Sequence, residues 1–335
     1  MSRIARRRWY RVAGRVALVA LAVLTIGVTA YGWHLQRVVT DGLGRLPGDV
    51  FAGLPSRPAP AAPAPGEAKP PVTVMLLGSD RREGPDVGGG VTGERADSIL
   101  LAHFAAGHRK LEVLSVPRDA WVPIPGHGSA KINASLSLGG VGLVVRTVED
   151  LTGVRIDHVV VADFAGVRRL TTELGGVPVD NPVASTDPQT RTHFDAGPIV
   201  LEGDRALTFV RQRYGLPHGD LDRIGRQHLL LSALGRDVAA KGLTDPDLLS
   251  RVFGVVHDTV SADAGLTPDR FRELFLDVAT LPPNAVSFHT APVSGSGRAP
   301  DGQAYLTLDR PRLAAAADAL RAGRPVPLPA TLSPS

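Results

Sequence analysis

Cysteine is absent from this chain of 335 residues. That excludes a disulfide framework, a thiolate zinc site and a cysteine nucleophile. Lysine is scarce beside arginine. A basic body is absent too. The net charge is +4, but Arg3, Arg6, Arg7, Arg8, Arg11 and Arg15 fall in the first fifteen residues with no acid among them. Of the 37 basic residues, the 31 that remain face 33 acidic ones. By composition the body is therefore not a nucleic-acid binder. No GxxxxGK[ST] pattern occurs, so a P-loop is excluded. Hydrophobic residues make up 43% of the chain, which excludes a wholly disordered protein. The length allows one large domain or two small ones.

The first fifteen residues are a basic, cytoplasmic flank. They precede VALVALAVLTIGVTAYGW at 16–33, which carries no charge. At about 1.5 Å per residue this stretch crosses most of a ~30 Å hydrocarbon layer, and 16–35 is expected to be one transmembrane helix. Trp9 and Tyr10 precede it, and Tyr31 and Trp33 close it, as an interfacial aromatic belt does. The arginines place the N-terminus in the cytoplasm and the body outside. Val28 and Ala30 also fit a signal-peptidase site, and Arg6–Arg8 faintly resemble a twin-arginine signal. Retained anchor or cleaved signal, the body lies outside the cytoplasm.

Residues 36–71 are expected to form a linker. PSRPAPAAPAPGEAKPP at 55–71 reads as an extended polyproline spacer with no packing role. From Val72 strands and helices interleave. VTVMLLG (72–78), DSILLAHF (97–104), KLEVLSVP (110–117), VRIDHVVVADF (154–164) and AVSFHTAPV (285–293) read as strands. Helical spacing predicts helices over 141–153, 165–176, 203–213, 222–242, 245–260, 267–281 and 309–323. The expectation is a layered α/β domain over 72–323, with a frayed tail at 324–335.

FVRQRYGLPHGDLDRIGRQ at 209–227 holds Arg211, Arg213, Arg223 and Arg226, with Asp220 and Asp222 among them. Arginine presents a planar, permanently charged fork to phosphate or carboxylate oxygens. GSDRR (78–82) sets Asp80 at a strand's C-terminal end, a common ligand position in α/β sheets. A Gly-rich loop follows and ends on Arg95 and Asp97. SVPRD (115–119) adds Arg118 and Asp119, and GSAKINASLSLGG (128–140) adds Lys131 and Asn133. Each piece alone also suits a surface ion pair. Together, a carboxylate pair suited to Mg²⁺ and a cluster of cations describe a pyrophosphate site.

These motifs, GSDRR, ERADSI, SVPRD, KIN, GVRIDHVVVADF…LGGVPV and GDRALTFVRQR…GDLDRIGRQ, resemble the LytR–CpsA–Psr (LCP) family of cell-wall glycopolymer ligases. The likeness runs from about Val72 to Gly242 and more loosely to Gly323. It implies a three-layer α/β/α sandwich with a central mixed sheet behind one transmembrane helix. It implies a phosphotransferase that passes a glycan-phosphate from a polyprenyl-pyrophosphate-linked glycan donor to a hydroxyl of peptidoglycan or a related wall polymer, releasing polyprenyl phosphate. No nucleic-acid partner is implied. Asp80 and Asp97 would hold Mg²⁺. Arg118, Arg211, Arg213, Arg223 and Arg226 would grip the pyrophosphate, with Arg82, Arg95, Lys131, Asn133 and Gln227 assisting in substrate binding. Asp220 and Asp119 are both candidates for the base. The resemblance also implies a prenyl pocket, for which the apolar faces of 141–153 and 227–240 are candidates, with ordinary core the competing reading for each residue. Two positions depart from the pattern. Ala120 stands where a hydroxyl residue is frequent, and Asp222 stands where glycine is usual. Hydrolysis with water as acceptor, and binding without catalysis, remain the competing readings.

Overall fold

The computed structural model describes residues 43–54, 56–61, 66–79, 96–242 and 245–331. Segment 16–35, and with it the expected transmembrane helix, lies outside these residues. Among the described residues no helix is long and apolar enough to cross a membrane.

Seven strands form the central sheet: β1 (Gly44–Arg45), β2 (Val72–Ser79), β3 (Ala96–Phe104), β4 (Leu111–Val116), β5 (His158–Asp163), β6 (Val260–Ala262) and β7 (Val286–Thr290). Their order is β1-β6-β5-β2-β3-β4-β7. The sheet is mixed. β1 with β6, β5 with β2 and β4 with β7 run parallel, and the other pairs run antiparallel. The helices are α1 (Ala134–Thr152), α2 (Phe164–Glu173), α3 (Gly203–Arg211), α4 (Asp220–Gly242), α5 (Pro246–Thr259), α6 (Pro268–Thr280) and α7 (Arg310–Arg321).

The alternation of side chains along the strands sends two apolar sets to opposite faces. Met75, Leu77, Ile99, Leu101 and Leu114 pack with Val144, Val145 and Val148 of α1 and with Leu313, Ala316 and Leu320 of α7. Val72, Val74, Leu100, Ala102 and Val113 pack on the other face with Leu274 of α6. A third cluster joins α2, α3, α4 and α5 through Leu174, Ala206, Phe209, Leu230 and Val252. Three helix starts follow from local chemistry. Asp245, Thr267 and Asp309 each accept a backbone N–H three residues on, with Pro246, Pro268 and Pro311 in the first turns.

The expected strand 154–164 is shorter, because Ile156 spends its backbone groups elsewhere. Its N–H donates to Glu149 and its carbonyl accepts from Arg57. The expected helix at 141–153 begins at Ala134, and the Gly139–Gly140 pair interrupts it before Val141. It ends where Gly153 takes a φ of 67° and donates to the Glu149 carbonyl.

The described part of 36–71 is not an idle spacer. Gly44 and Arg45 pair with Ser261 and Ala262, and Leu46 and Val50 enter the core. Arg57 grips buried Glu149 at 2.7 Å, and Lys69 Nζ lies 2.6 Å from Asp277. Nor is the described tail frayed. Val326 and Leu328 are buried, and Thr331 donates to the Phe288 carbonyl.

Topology gathers several strand ends at one sheet edge. Ser79 of β2 pairs with Ala96 of β3 and with Asp163 of β5, and Ile99 of β3 pairs with Val116 of β4. The C-terminal ends of β2, β4 and β5 therefore meet the N-terminal end of β3. Ligands of open α/β sheets bind at such edges.

Candidate functional site

At this edge the β2–β3 register slips. Gly78 faces Ser98 while Ser79 faces Ala96, so Asp97 is the extra residue of a bulge. A bulge re-aims the side chain it carries. Arg118 and Asp119 follow β4 through Pro117. Asp119 accepts from Lys131 Nζ at 3.0 Å, and Lys131 ends the second strand of the hairpin Trp121–Ile124/Gly128–Lys131. Arg118 meets the Asp97 carboxylate in a close ion pair. Its Nε lies 3.5 Å from Asp220 and 3.9 Å from Asp119. Arg223, one turn into α4, sits 2.9 Å from Asp220 and donates to the Asp97 carbonyl at 3.1 Å.

These residues wall a cleft of about 600 Å³. Asp97, Arg118, Asp119, Lys131, Asn133 and Arg223 form one side, and Arg211 and Arg213 come from the end of α3 and the residues after it. Arg211 and Arg213 are exposed, whereas Arg223 is buried. Five cations thus converge from four chain segments. A surface held together by local ion pairs would not draw them from so far apart.

Burial sets the electrostatics. It raises the Asp220 carboxyl above its ordinary value, against the pull of Arg223 and Arg118. Both Asp220 oxygens are buried without an aligned hydrogen bond, so the residue is held by charge alone. Arg118 loses solvation too, but Asp220 and Asp97 more than restore its charged form and raise its pKa. Arg223 is lowered by burial in spite of Asp220.

Eight of the sequence-predicted or candidate residues line the cleft: Asp97, Arg118, Asp119, Lys131, Asn133, Arg211, Arg213 and Arg223. Asp220 stands behind this wall. Arg226 and Gln227 do not line it. Arg226 is buried between the rings of Phe209 and Phe194, donating to Gln212 Oε1 at 2.5 Å and to Ser185 Oγ at 2.6 Å. Burial pushes its pKa down to about 10. Gln227 accepts from Ser98 Oγ at 3.1 Å and donates to the Val210 carbonyl. Asp80, Arg82 and Arg95 lie outside the described residues.

The two departures have local explanations. Ala120 is fully buried in the core, so its position does not face the cleft. Asp222 accepts from the His218 N–H at 2.7 Å and from its ring nitrogen at 3.2 Å, closing the turn before α4. The helix faces at 141–153 and 227–240 contribute to the core. Val141, Val144, Val145, Val148, Leu230 and Ala233 belong to the core clusters. Apolar lining of the cleft comes from Phe164, Leu207 and Val210. A separate group, His108, Glu273 and Asp277, has metal-like spacing. Lys69 already supplies its cation, 2.6 Å from Asp277 and 3.4 Å from Glu273.

The fold and cleft define a mixed α/β protein with a cationic, carboxylate-bearing site at a sheet edge. The chain belongs to the LytR_cpsA_psr family, whose model matches residues 55–322. It is 31% identical over 257 residues to a polyisoprenyl-teichoic acid–peptidoglycan teichoic acid transferase, TagU, of Bacillus cereus, covering 76% of this chain and 79% of that protein. Protein gbs0355 of Streptococcus agalactiae superposes with a TM-score of 0.65 at 19% identity, covering 78% of this chain and 91% of that one, and bears on the fold alone. A structure described as TagT bound to LI-WTA superposes with a TM-score of 0.61 at 25% identity, over 84% of this chain and 98% of that one.

Proposed function

We propose that this protein is a cell-wall glycopolymer transferase. It moves a glycan-phosphate from a polyprenyl-diphosphate carrier to a hydroxyl of peptidoglycan or a related wall polymer. The observation that carries this reading is the convergence of Arg118, Lys131, Arg211, Arg213 and Arg223 on one cleft that also holds Asp97 and Asp119. The names of the relatives support it, since TagU is called a teichoic acid transferase to peptidoglycan. Segment 16–35 would anchor the chain, with the catalytic body outside the cytoplasm, where wall polymers are joined.

Phosphoryl transfer asks a protein to neutralise non-bridging oxygens and to hold the reactants in line. In the proposed step the acceptor hydroxyl oxygen bonds to the phosphorus that bears the glycan. The bond from that phosphorus to the bridging oxygen breaks, and polyprenyl phosphate leaves with the electron pair. Exposed Arg211 and Arg213 take the outer oxygens of the diphosphate, and Arg118 and Arg223 stabilise the charge that develops on the leaving phosphate. Asp119 reaches the cleft and takes the hydroxyl proton. Asp220 is a positioning residue, because it touches Arg118 and Arg223 and not the cleft.

The donor set is compatible with Mg²⁺, a hard cation that takes one or two carboxylates beside phosphate oxygens. Asp97 offers its carboxylate on the cleft wall, and Asp80 would be the second ligand. A bound ion would neutralise diphosphate charge beside the arginines.

The test is a transfer assay on the full chain in detergent, with a synthetic polyprenyl-diphosphate saccharide and a wall oligosaccharide acceptor. Mass spectrometry seeks the phosphodiester-linked product, with Mg²⁺ and with chelator. The expected result is a product that needs the metal and is lost in Arg118→Ala and Asp97→Ala. Tight donor binding with no product from any acceptor would overturn the reading in favour of a binder.

A further inference from the structure

The cleft has a wall that the phosphate chemistry does not use. Tyr214 lies in it beside Gln189 and Thr190. Tyr214 is 51% exposed. Arg213 stacks over the ring, 4.6 Å from its centre, and donates to its hydroxyl at 2.8 Å. Gln189 and Thr190 project from the turn between two short strands, Ser185–Thr186 and His193–Phe194. That turn is built, not loose. Buried Asp187 accepts from the N–H groups of Gln189 at 2.6 Å and Thr190 at 3.2 Å, and its carbonyl accepts from Arg191.

The turn is fixed to the tyrosine segment. Gln212 accepts from Ser185 Oγ at 3.2 Å and donates to the Tyr214 carbonyl at 3.1 Å. Gly215 closes against the Thr186 carbonyl, which a Cβ would meet at 2.9 Å. The Arg226 fork braces the same corner through Gln212 and Ser185. An exposed aromatic ring and an exposed amide are therefore held together at the end of an anion site, beside the Thr190 hydroxyl, which donates to Thr192 Oγ1 at 2.9 Å and keeps acceptor capacity for a ligand.

We infer that Tyr214, Gln189 and Thr190 form a saccharide subsite for the donor's first sugar, the one esterified to the diphosphate. This rests on the transferase reading above. The chemistry is that of sugar recognition: the C–H face of a pyranose packs on an aromatic ring, and its hydroxyls exchange hydrogen bonds with amide and hydroxyl groups. The donor is favoured over the acceptor by the Arg213–Tyr214 contact. The residue that grips a diphosphate oxygen is the residue that covers the ring, so the sugar one bond from that phosphate falls beside it. The acceptor would approach from the Asp119–Lys131 side.

The experiment compares two probes on the full chain in detergent, read by calorimetry. One is a prenyl diphosphate bearing a single N-acetylhexosamine, and the other is the same prenyl diphosphate without sugar. Tyr214→Ala is expected to weaken the sugar-bearing probe roughly tenfold and the bare probe by less than about twofold. Gln189→Ala, on an exposed side chain, gives a smaller loss of the same selectivity. Tyr214→Phe keeps the ring and most of the affinity. Equal losses for both probes would overturn the inference, because Tyr214 would then act through Arg213 on the anion alone. Unchanged affinity for both would overturn it as well, as would a raised KM for the acceptor with donor binding intact. Wild-type protein that binds neither probe would sink the transferase reading itself, and the subsite with it.

Discussion

Arg226 Nη2 lies 2.6 Å from the Ser185 hydroxyl, deep beneath the cleft that the neighbouring arginines face. One sequence motif thus does two jobs. Arg211, Arg213 and Arg223 reach the cleft, while Arg226 holds up its floor between two phenylalanine rings. Arg226→Ala is expected to lower stability by about 1–3 kcal/mol, because Gln212 and Ser185 lose a buried partner. Arg211→Ala, on the exposed rim, is expected to leave thermal unfolding unchanged and to lose donor binding. Thermal denaturation of both variants separates the two roles. Equal loss of stability would contradict the division.

Arg118 lines the cleft, and in the proposed step it stabilises the charge on the leaving phosphate. Arg118→Ala is expected to reduce the rate on the order of 10²–10³-fold, the scale of a lost electrostatic stabiliser. Single-turnover rates at saturating donor check this. A rise in KM at constant kcat would mean that Arg118 serves binding only.

The two acidic candidates for proton removal divide by position. Asp119 faces the cleft and Asp220 stands behind it, its carboxyl raised by burial. Asp119→Asn is expected to remove the acid limb of the pH–rate profile. Asp220→Asn is expected to lower kcat with that limb retained, because Arg118 and Arg223 lose their common anchor. The reverse pattern would move the base to Asp220.

Stability is expected to fall as the solution is acidified, for a reason away from the cleft. His228 is fully buried, 2.6 Å from Ser115 Oγ, and burial with nearby His289 lowers its pKa to about 3. Burial lowers His103 to about 4. Both stay neutral in the folded chain while the unfolded chain takes up protons below its ordinary histidine value of about 6.5. The sign follows: their contribution is intact above pH ~6.5 and is lost as pH falls toward the folded values. Urea denaturation at a series of pH values measures the slope. His228→Asn is expected to flatten it between about pH 6 and 4, and an unchanged slope would place the acid sensitivity elsewhere.

Gly215 takes a φ of +75° with the Thr186 carbonyl in the place of a Cβ. Gly215→Ala is expected to cost about 1–3 kcal/mol through strain. The change should appear in the melting temperature, and in donor affinity as the 187–192 turn shifts.

Much of this architecture was legible in the residues. The strands at 72–79 and 96–104 and the helices from Asp245, Thr267 and Asp309 follow from apolar runs and capping residues. Motifs at strand ends supplied Asp97 and Arg118, and the fold brings them to one cleft with Lys131 of the hairpin and Arg223 of α4, because a strand's end fixes which sheet edge its next residues reach. Three things were not legible. The proline-rich stretch hides Arg57 and Lys69, whose partners Glu149 and Asp277 are distant in sequence. Helical phase around Arg223 and Arg226 decides which guanidinium reaches the cleft, and composition does not carry it. Tyr214, Gln189 and Thr190 escaped notice because their array depends on a hairpin of two-residue strands. The DPQT stretch at 187–190 carries turn-forming residues, but nothing in it names the cleft.

In the proposed reaction the glycan-bearing phosphorus is attacked by a polymer hydroxyl and not by water. Running the reaction in ¹⁸O-labelled water with donor and wall acceptor tests this most directly. The expected products are a phosphodiester-linked polymer and polyprenyl phosphate, neither carrying the label. Labelled free glycan phosphate as the main product, with acceptor present in excess, would contradict it and make the protein a hydrolase.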